Sequence, residues 1–247
     1  MTQSPLPPPV TVHNPQGGSD WLILCEHASC FIPPAYGLLG LPPGGNRAHI
    51  GWDIGAAAVA LDMARRMDAV CVTAGYSRLL IDLNRPIGAA GSIPERSEAT
   101  GIPGNRALSA QERARREAAY FHPFHDRVAA LLDARAAGGR RTRIVAIHSF
   151  TPIFLGVARP WHLGVLALKS RPLAKALLAA VARRDPDLCL ALDEPYRIAL
   201  DEDYAIPVHG DARGLDALLV EMRNDLIAEP DGARDWAERL AKTLAGI

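Results

Sequence analysis

Trp21-Leu-Ile-Leu-Cys25 is a short apolar run that stops at two polar residues, Glu26 and His27. Its length and unbroken hydrophobicity predict a strand buried on both faces, and its end predicts chemistry. The pattern returns at Arg143 to Ile147, which delivers His148 and Ser149, and at Ala217 to Met222, where Glu221 interrupts a Leu-Leu-Val run. Further strands are predicted at Ala69 to Thr73, Leu79 to Leu83, His162 to Leu168 and Leu188 to Leu192. Pro86 closes the strand that runs into Asn84-Arg85.

Helical spacing separates these runs. Apolar residues at 54, 57, 58, 61 and 64 predict a helix from Ile54 to Met67, with Asp53 near its N-cap. Ser109-Ala-Gln-Glu112 has capping-box spacing and opens a helical stretch to about Ala137, broken or kinked at Pro123 and ended by Gly138-Gly139. Ser170 to Arg184 carries Pro172 in its first turn, and a last helix follows Asp231. Strands alternating with helices predict a three-layer α/β domain over residues 21–247, its sheet mainly parallel. Residues 1–20 hold five prolines and the Gly17-Gly18 pair, which predicts a flexible arm. Pro86 to Leu108 contains seven Gly or Pro residues and predicts a functional loop, a lid at the mouth of the site, with Glu95 and Arg96 near its middle.

Composition narrows the function. In 247 residues, 27 Lys+Arg balance 27 Asp+Glu, so no global field favours nucleic acid or an anionic membrane. Aromatics are 6% and never interleave with a basic stretch, which counts against a base-stacking platform. The most apolar stretches, Ile54 to Leu61 and Ala176 to Ala182, are far short of the roughly 20 residues that cross a bilayer. No Lys or Arg precedes Arg47, and the four cysteines (Cys25, Cys30, Cys71, Cys189) form no C-x-x-C pair. These features predict a soluble cytoplasmic protein with reduced thiols and leave its oligomeric state open.

The polar residues fall at the carboxyl ends of the predicted strands, where open α/β sheets collect their ligands. Four segments carry a resemblance: Cys25-Glu-His-Ala-Ser29, Tyr76-Ser-Arg-Leu-Leu-Ile-Asp-Leu-Asn-Arg85, His148-Ser-Phe-Thr-Pro152 and Val220-Glu-Met-Arg223. In order, and over nearly the whole chain from Trp21, they resemble the N-formylglutamate amidohydrolase family. That family is similar in fold to zinc carboxypeptidases and aspartoacylases, which implies a mixed phosphorylase/hydrolase-like sheet with one antiparallel pair. It also implies a metal-activated water that cleaves an amide. The resemblance assigns His27 and His148 as metal ligands, Glu221 as the catalytic glutamate, and Arg78, Asn84 and Arg85 as the holders of a substrate carboxylate. The carboxypeptidase H-x-x-E pattern is absent, because Cys30 stands three residues after His27. Either Glu26 or Asp53 supplies the third ligand; Asp53 fits the family better, since adjacent strand residues point to opposite faces.

Each residue also has a plainer role open to it. A histidine at a strand end is commonly a hydrogen-bonded structural residue, Asp53 serves equally as a helix N-cap, and Arg78 and Arg85 have Asp82 to pair with. Cys25 shares a strand face with His27, but a buried structural thiol is the commoner case. His122 and His125 form H-x-x-H with no third partner nearby and read as surface or packing residues; His13 lies in the arm, and Arg140, Arg141 and Arg143 read as a solvated loop. The resulting expectation is a one-domain amidohydrolase, dependent on one divalent metal, zinc (Zn2+), and acting on a small N-acyl acidic amino acid such as N-formylglutamate. Zinc suits two imidazoles and a carboxylate with one open position. The alternatives are a carboxypeptidase-like enzyme acting on small peptides or cell-wall fragments, and a non-catalytic carboxylate-binding protein.

Overall fold

The computed structural model describes residues 5–247. In chain order the strands are β1 (Val10–His13), β2 (Trp21–Cys25), β3 (Val70–Ala74), the hairpin β4 (Arg96–Ser97) and β5 (Thr100–Gly101), β6 (Arg143–Phe150), a second hairpin β7 (Ile153–Phe154) and β8 (Val157–Ala158), β9 (Leu163–Leu166), β10 (Leu190–Leu192) and β11 (Asp216–Arg223). The helices are α1 (Ala56–Met67), α2 (Ala110–Arg116), α3 (His122–Ala137), α4 (Arg171–Arg184) and α5 (Pro230–Ala245).

Seven strands form one sheet in the order β1-β3-β2-β6-β11-β9-β10. The centre is parallel, while β1 runs antiparallel to β3 and β9 antiparallel to β11, so the mixed sheet has two antiparallel pairs where one was expected. Alternate side chains feed two cores. Trp21, Ile23, Cys25, Val145, Ile147, Leu218 and Val220 pack under α1, α4 and α5. Leu22, Leu24, Ile144, Ala146 and Leu219 pack with Phe121, Phe124, Val128 and Leu132 of the α3 side. Burial on both faces is why these strands read as continuous apolar runs. Each fully buried Leu or Ile contributes roughly 1.5–3 kcal/mol, so the β2-β6-β11 centre is a stiff support for whatever its strand ends carry.

Several expectations need correction. The flexible arm is not flexible throughout: Val10–His13 completes the sheet edge, and Gly75 N–H donates to Pro9 O at 3.1 Å while the Tyr76 hydroxyl donates to Pro7 O at 2.6 Å. Residues 1–4 of the predicted arm lie outside the described residues. Leu79 to Leu83 is a turn, not a strand, because Ser77 closes it locally: Leu80 N–H donates to Ser77 O at 3.0 Å, and the Ser77 hydroxyl donates to Gly51 O at 2.7 Å. Its leucines split between the α3-side core and a small third cluster under the loops. Asp53 does not cap α1 with its side chain. The N-cap is Gly55, whose φ of +82° and 2.2 Å approach of a notional Cβ to Ile227 O leave room for glycine only.

The loop from Pro86 to Leu108 is pinned at several points. Asn105 donates to Leu79 O and Pro94 O at 2.8 and 2.7 Å, and the buried Arg116 reaches Asn105 Oδ1 at 2.7 Å and Leu80 O at 3.0 Å. It is a fixed wall. Ser109 caps α2 through Glu112 N–H; the break expected at Pro123 falls before it, in a π-turn at 117–121, so that Pro123 stands in the first turn of α3, and Gly138 is its C-cap. Among the described residues no helix is long and apolar enough to cross a membrane.

Candidate active site

β2 ends at Cys25, so Glu26 and His27 begin a turn at the carboxyl edge of the sheet. One strand over, β6 runs on through His148, and β11 places Glu221 directly beside it in parallel register. Glu26, His148 and Glu221 continue the side-chain face of Leu24, Ala146 and Leu219. Asp53 arrives from the segment before α1: its N–H donates to His27 O at 3.0 Å, and Ser149 N–H and the Ser149 hydroxyl hold Asp53 Oδ2 and Ile54 O at 3.2 and 2.9 Å.

The two imidazoles stand edge to face, with centroids 4.8 Å apart. Both present Nδ1 to one carboxylate oxygen: Asp53 Oδ2 is 3.3 Å from His27 and 2.8 Å from His148. One donor atom from each of the three residues lies within 4.8 Å of the others, and all three residues are buried. On the far side each ring meets a second carboxylate, His27 Nε2 at 2.7 Å from Asp82 Oδ1 and His148 Nε2 at 3.1 Å from Glu26 Oε2. Glu26 is therefore on the outer side of His148, while Asp53 stands between the rings. A carboxylate thus stands behind each histidine, the outer support that a metal site commonly has.

Charge supports the same fit. Burial alone would neutralise Glu26, Asp53 and Asp82, but His148 holds Glu26 below its usual range, both histidines hold Asp53 down, and Arg78 with His27 holds Asp82 well down. Arg78 reaches Asp53 Oδ1 at 3.3 Å and Asp82 Oδ2 at 2.6 Å. The cluster holds three ionised carboxylates and one guanidinium, which pairs with two of them, a negative excess that a divalent cation would match. Without a cation the excess falls on the imidazoles: despite burial, Asp53 and Glu26 drive His148 well above its ordinary range. Glu221 behaves oppositely. Burial pushes its carboxyl up to about 7, with His148 pulling it down and Asp53 up, and its Oε2 has no hydrogen-bond partner.

These groups open into a cavity of about 470 Å³. Arg78, Asn84 and Arg85 all line it, yet their side chains differ in freedom. Asn84 is committed to the protein, donating to Asp203 Oδ1 at 3.2 Å and accepting from Ala205 N–H at 3.0 Å. Arg85 directs one nitrogen at Glu202 O, 2.6 Å away, and at the Asp203 carboxylate, 3.4 Å away, and keeps its other two nitrogens. The Pro86 to Leu108 loop borders the cavity, as expected, through Gly91, Pro94, Arg96, Ser97 and Glu98, whereas Glu95 is not among the lining residues. Sequence reasoning missed His49, paired with Glu98 at 2.6 Å, and Tyr196 and Asp203, which come from loops with no recognisable motif. Asp82 was legible only as an arginine partner; its position inside the Arg78-to-Arg85 string was the available signal. Cys25 is buried with its thiol pushed well up by burial, a packing residue. His122 is exposed, His125 is buried beside His209, and His13 meets Thr73 at the sheet edge.

The architecture is a mixed α/β sheet that gathers buried histidines and carboxylates at the carboxyl edge of its central strands. The chain belongs to the N-formylglutamate amidohydrolase family, which its residues 19–228 match. It is 37% identical to the gene product Atu2144 of Agrobacterium tumefaciens, whose crystal structure superposes with a TM-score of 0.90 over 96% of this chain and 95% of that one. It shares its fold with N-formylglutamate amidohydrolase from Ralstonia eutropha JMP134, at 17% identity and a TM-score of 0.69 over 95% of each chain. No curated protein matches it.

Proposed function

We propose that this protein is a zinc-dependent amidohydrolase that cleaves the amide of a small N-acyl acidic amino acid such as N-formylglutamate, giving formate and glutamate. The observation that carries the reading is the convergence of His27 Nδ1, His148 Nδ1 and Asp53 Oδ2, each ring backed by its own carboxylate. His27, His148 and Asp53 would hold the ion, and Glu26 would support His148 from outside. A divalent ion so held supplies Lewis acidity toward the amide oxygen and acidifies water.

The chain's own groups do the rest. Glu221, ionised, accepts a proton from the attacking water as the new C–O bond forms, then returns it to the leaving nitrogen as the C–N bond breaks. A carboxyl near 7 suits both transfers. Arg85 grips a substrate carboxylate with the free part of its fork, and Asn84 shapes that subsite by fixing residues 203–205. Arg78 locks Asp53 and Asp82 in place while lining the cavity. Four free thiols are in keeping with work in the cytoplasm. The test is metal content and formate release from N-formylglutamate on one sample. The expected result is one equivalent of divalent metal, activity lost on chelation and restored by zinc. A metal-free protein, or a loaded one that cleaves no N-acyl acidic amino acid, overturns the reading.

A further inference from the structure

The cavity is larger than a formylated amino acid requires, and its walls differ in chemistry. Its 470 Å³ lies within the roughly 300–1,000 Å³ of pockets that enclose drug-sized ligands, whereas N-formylglutamate has only about a dozen non-hydrogen atoms. On the loop side the lining is polar: His49, Asn84, Arg85, Arg96, Glu98 and Asp203. Along β9 and β11, beyond the charged cluster that faces Glu221, it includes apolar side chains. Leu219 lies two residues before Glu221 on the same face and pairs across the strands with Leu166, and both line the cavity.

Above that floor stands an aromatic wall. Gly164 is the cross-strand partner of Glu221, and a Cβ there would lie 1.7 Å from Glu194 O, so the missing side chain lets the 194–196 segment lie directly on β9. That contact carries Tyr196 into the cavity wall beside Glu221. Arg159, buried and with no carboxylate partner among the described residues, stands 4.3 Å from the Phe154 ring centre, 4.8 Å from that of Tyr196 and 5.9 Å from that of Phe150. It also donates to the Tyr196 hydroxyl at 2.9 Å. The guanidinium thus ties three cavity-lining rings into one rigid face.

Resting on the reading above, in which Arg85 holds the amino-acid carboxylate on the polar side, we propose that the apolar wall of Leu166, Leu219, Phe150, Phe154 and Tyr196 receives the acyl group. The preferred substrates are then N-acyl acidic amino acids with an aromatic or medium-chain aliphatic acyl group rather than formyl. Hydrolysis releases the corresponding carboxylic acid and the free amino acid, with one water consumed. A site selective for formyl has no need of such a wall.

The experiment compares N-formyl-, N-acetyl-, N-hexanoyl- and N-benzoylglutamate on the zinc-loaded full chain, with binding of the formyl and benzoyl compounds to the zinc-loaded Glu221→Gln protein measured by calorimetry. Each buried methylene is worth about 0.8 kcal/mol, roughly fourfold. The hexanoyl and benzoyl substrates should therefore exceed formyl at least tenfold in kcat/KM, and benzoyl should bind at least tenfold tighter. Phe154→Ala, at a half-buried position of an otherwise exposed hairpin, should cut the benzoyl-to-formyl ratio at least fivefold. If formyl is best in turnover or binds as tightly as benzoyl, this inference fails while the hydrolase reading stands. If no compound turns over, the hydrolase reading fails, and the calorimetric ratio alone decides the inference: tighter benzoyl binding upholds it, and equal or undetectable binding overturns it.

Discussion

Two buried histidine pairs lie within this chain, and they differ in what surrounds them. His27 and His148 are packed among Asp53, Asp82 and Glu26, and their imidazoles are held above the ordinary range although burial opposes it. His125 and His209 stack with Nδ1 and Nε2 2.9 Å apart, among Phe121, Phe124 and Tyr204, and His125 passes its other nitrogen to Leu83 O. There burial wins: His125 is pushed down to about 3 and His209 to about 4. Burial is common to both. Carboxylates in direct contact make one pair a candidate cation site and favour its charged form, while their absence favours the neutral form of the other.

The strongest break between the pairs is deletion. His148→Ala should lose its metal and at least a thousandfold in activity, whereas His125→Phe should keep full metal content; equal metal loss in both, measured on folded protein, would erase the distinction. Next in size is Glu221→Gln, expected to lower kcat by about a hundred- to ten-thousandfold with metal retained, because it removes the proton carrier and little volume. In the parent, kcat should rise with pH through about 7 as Glu221 ionises, and that limb should vanish in the variant. A parental rate in metal-loaded Glu221→Gln would refute its role.

The outer carboxylates come next. Asp82→Asn and Glu26→Gln should weaken metal affinity by about 10–100-fold, the usual effect of removing the support behind a ligand. A competing chelator would read this, and unchanged affinity would reduce both acids to packing. The smallest effect is on acid stability. His125 and His209 have folded-state values below the unfolded one, so the unfolded chain takes up protons first and stability falls as pH drops from about 6.5 toward 4. Each imidazole should cost roughly 2 kcal/mol at pH 5. Denaturant melts of His125→Phe should show a shallower slope across that window; an unchanged slope would contradict the assignment. His148 has the opposite sign in metal-free protein, stabilising below the unfolded value near 6.5 and losing that contribution as pH climbs through its raised folded value.

The same contrast marks what can be read from a chain. H-x-x-H at His122 and His125 has the look of a metal motif, yet helical spacing says nothing of the carboxylates that never arrive, and packing was the sound reading. His27, His148 and Glu221 were visible because a polar residue ending an unbroken apolar strand has few other reasons to be there, and because the string from Arg78 to Arg85 is specific. Leu79 to Leu83 misled for the same reason in reverse: an apolar run reports burial, and Ser77 decides locally that the chain turns.

By itself, then, the sequence determined the alternation of strands and helices, the double-sided burial of β2, β6 and β11, and the identity of the residues at their ends, all consequences of local periodicity and composition. Tertiary structure alone decided that Val10–His13 would complete the sheet edge, that Asp53 rather than Glu26 would stand between the two rings, that Asp82 would back His27, and that Tyr196 and Phe154 would wall the cavity. Those facts depend on residues up to well over a hundred positions apart meeting in space, and no local pattern encodes the packing that brings them together.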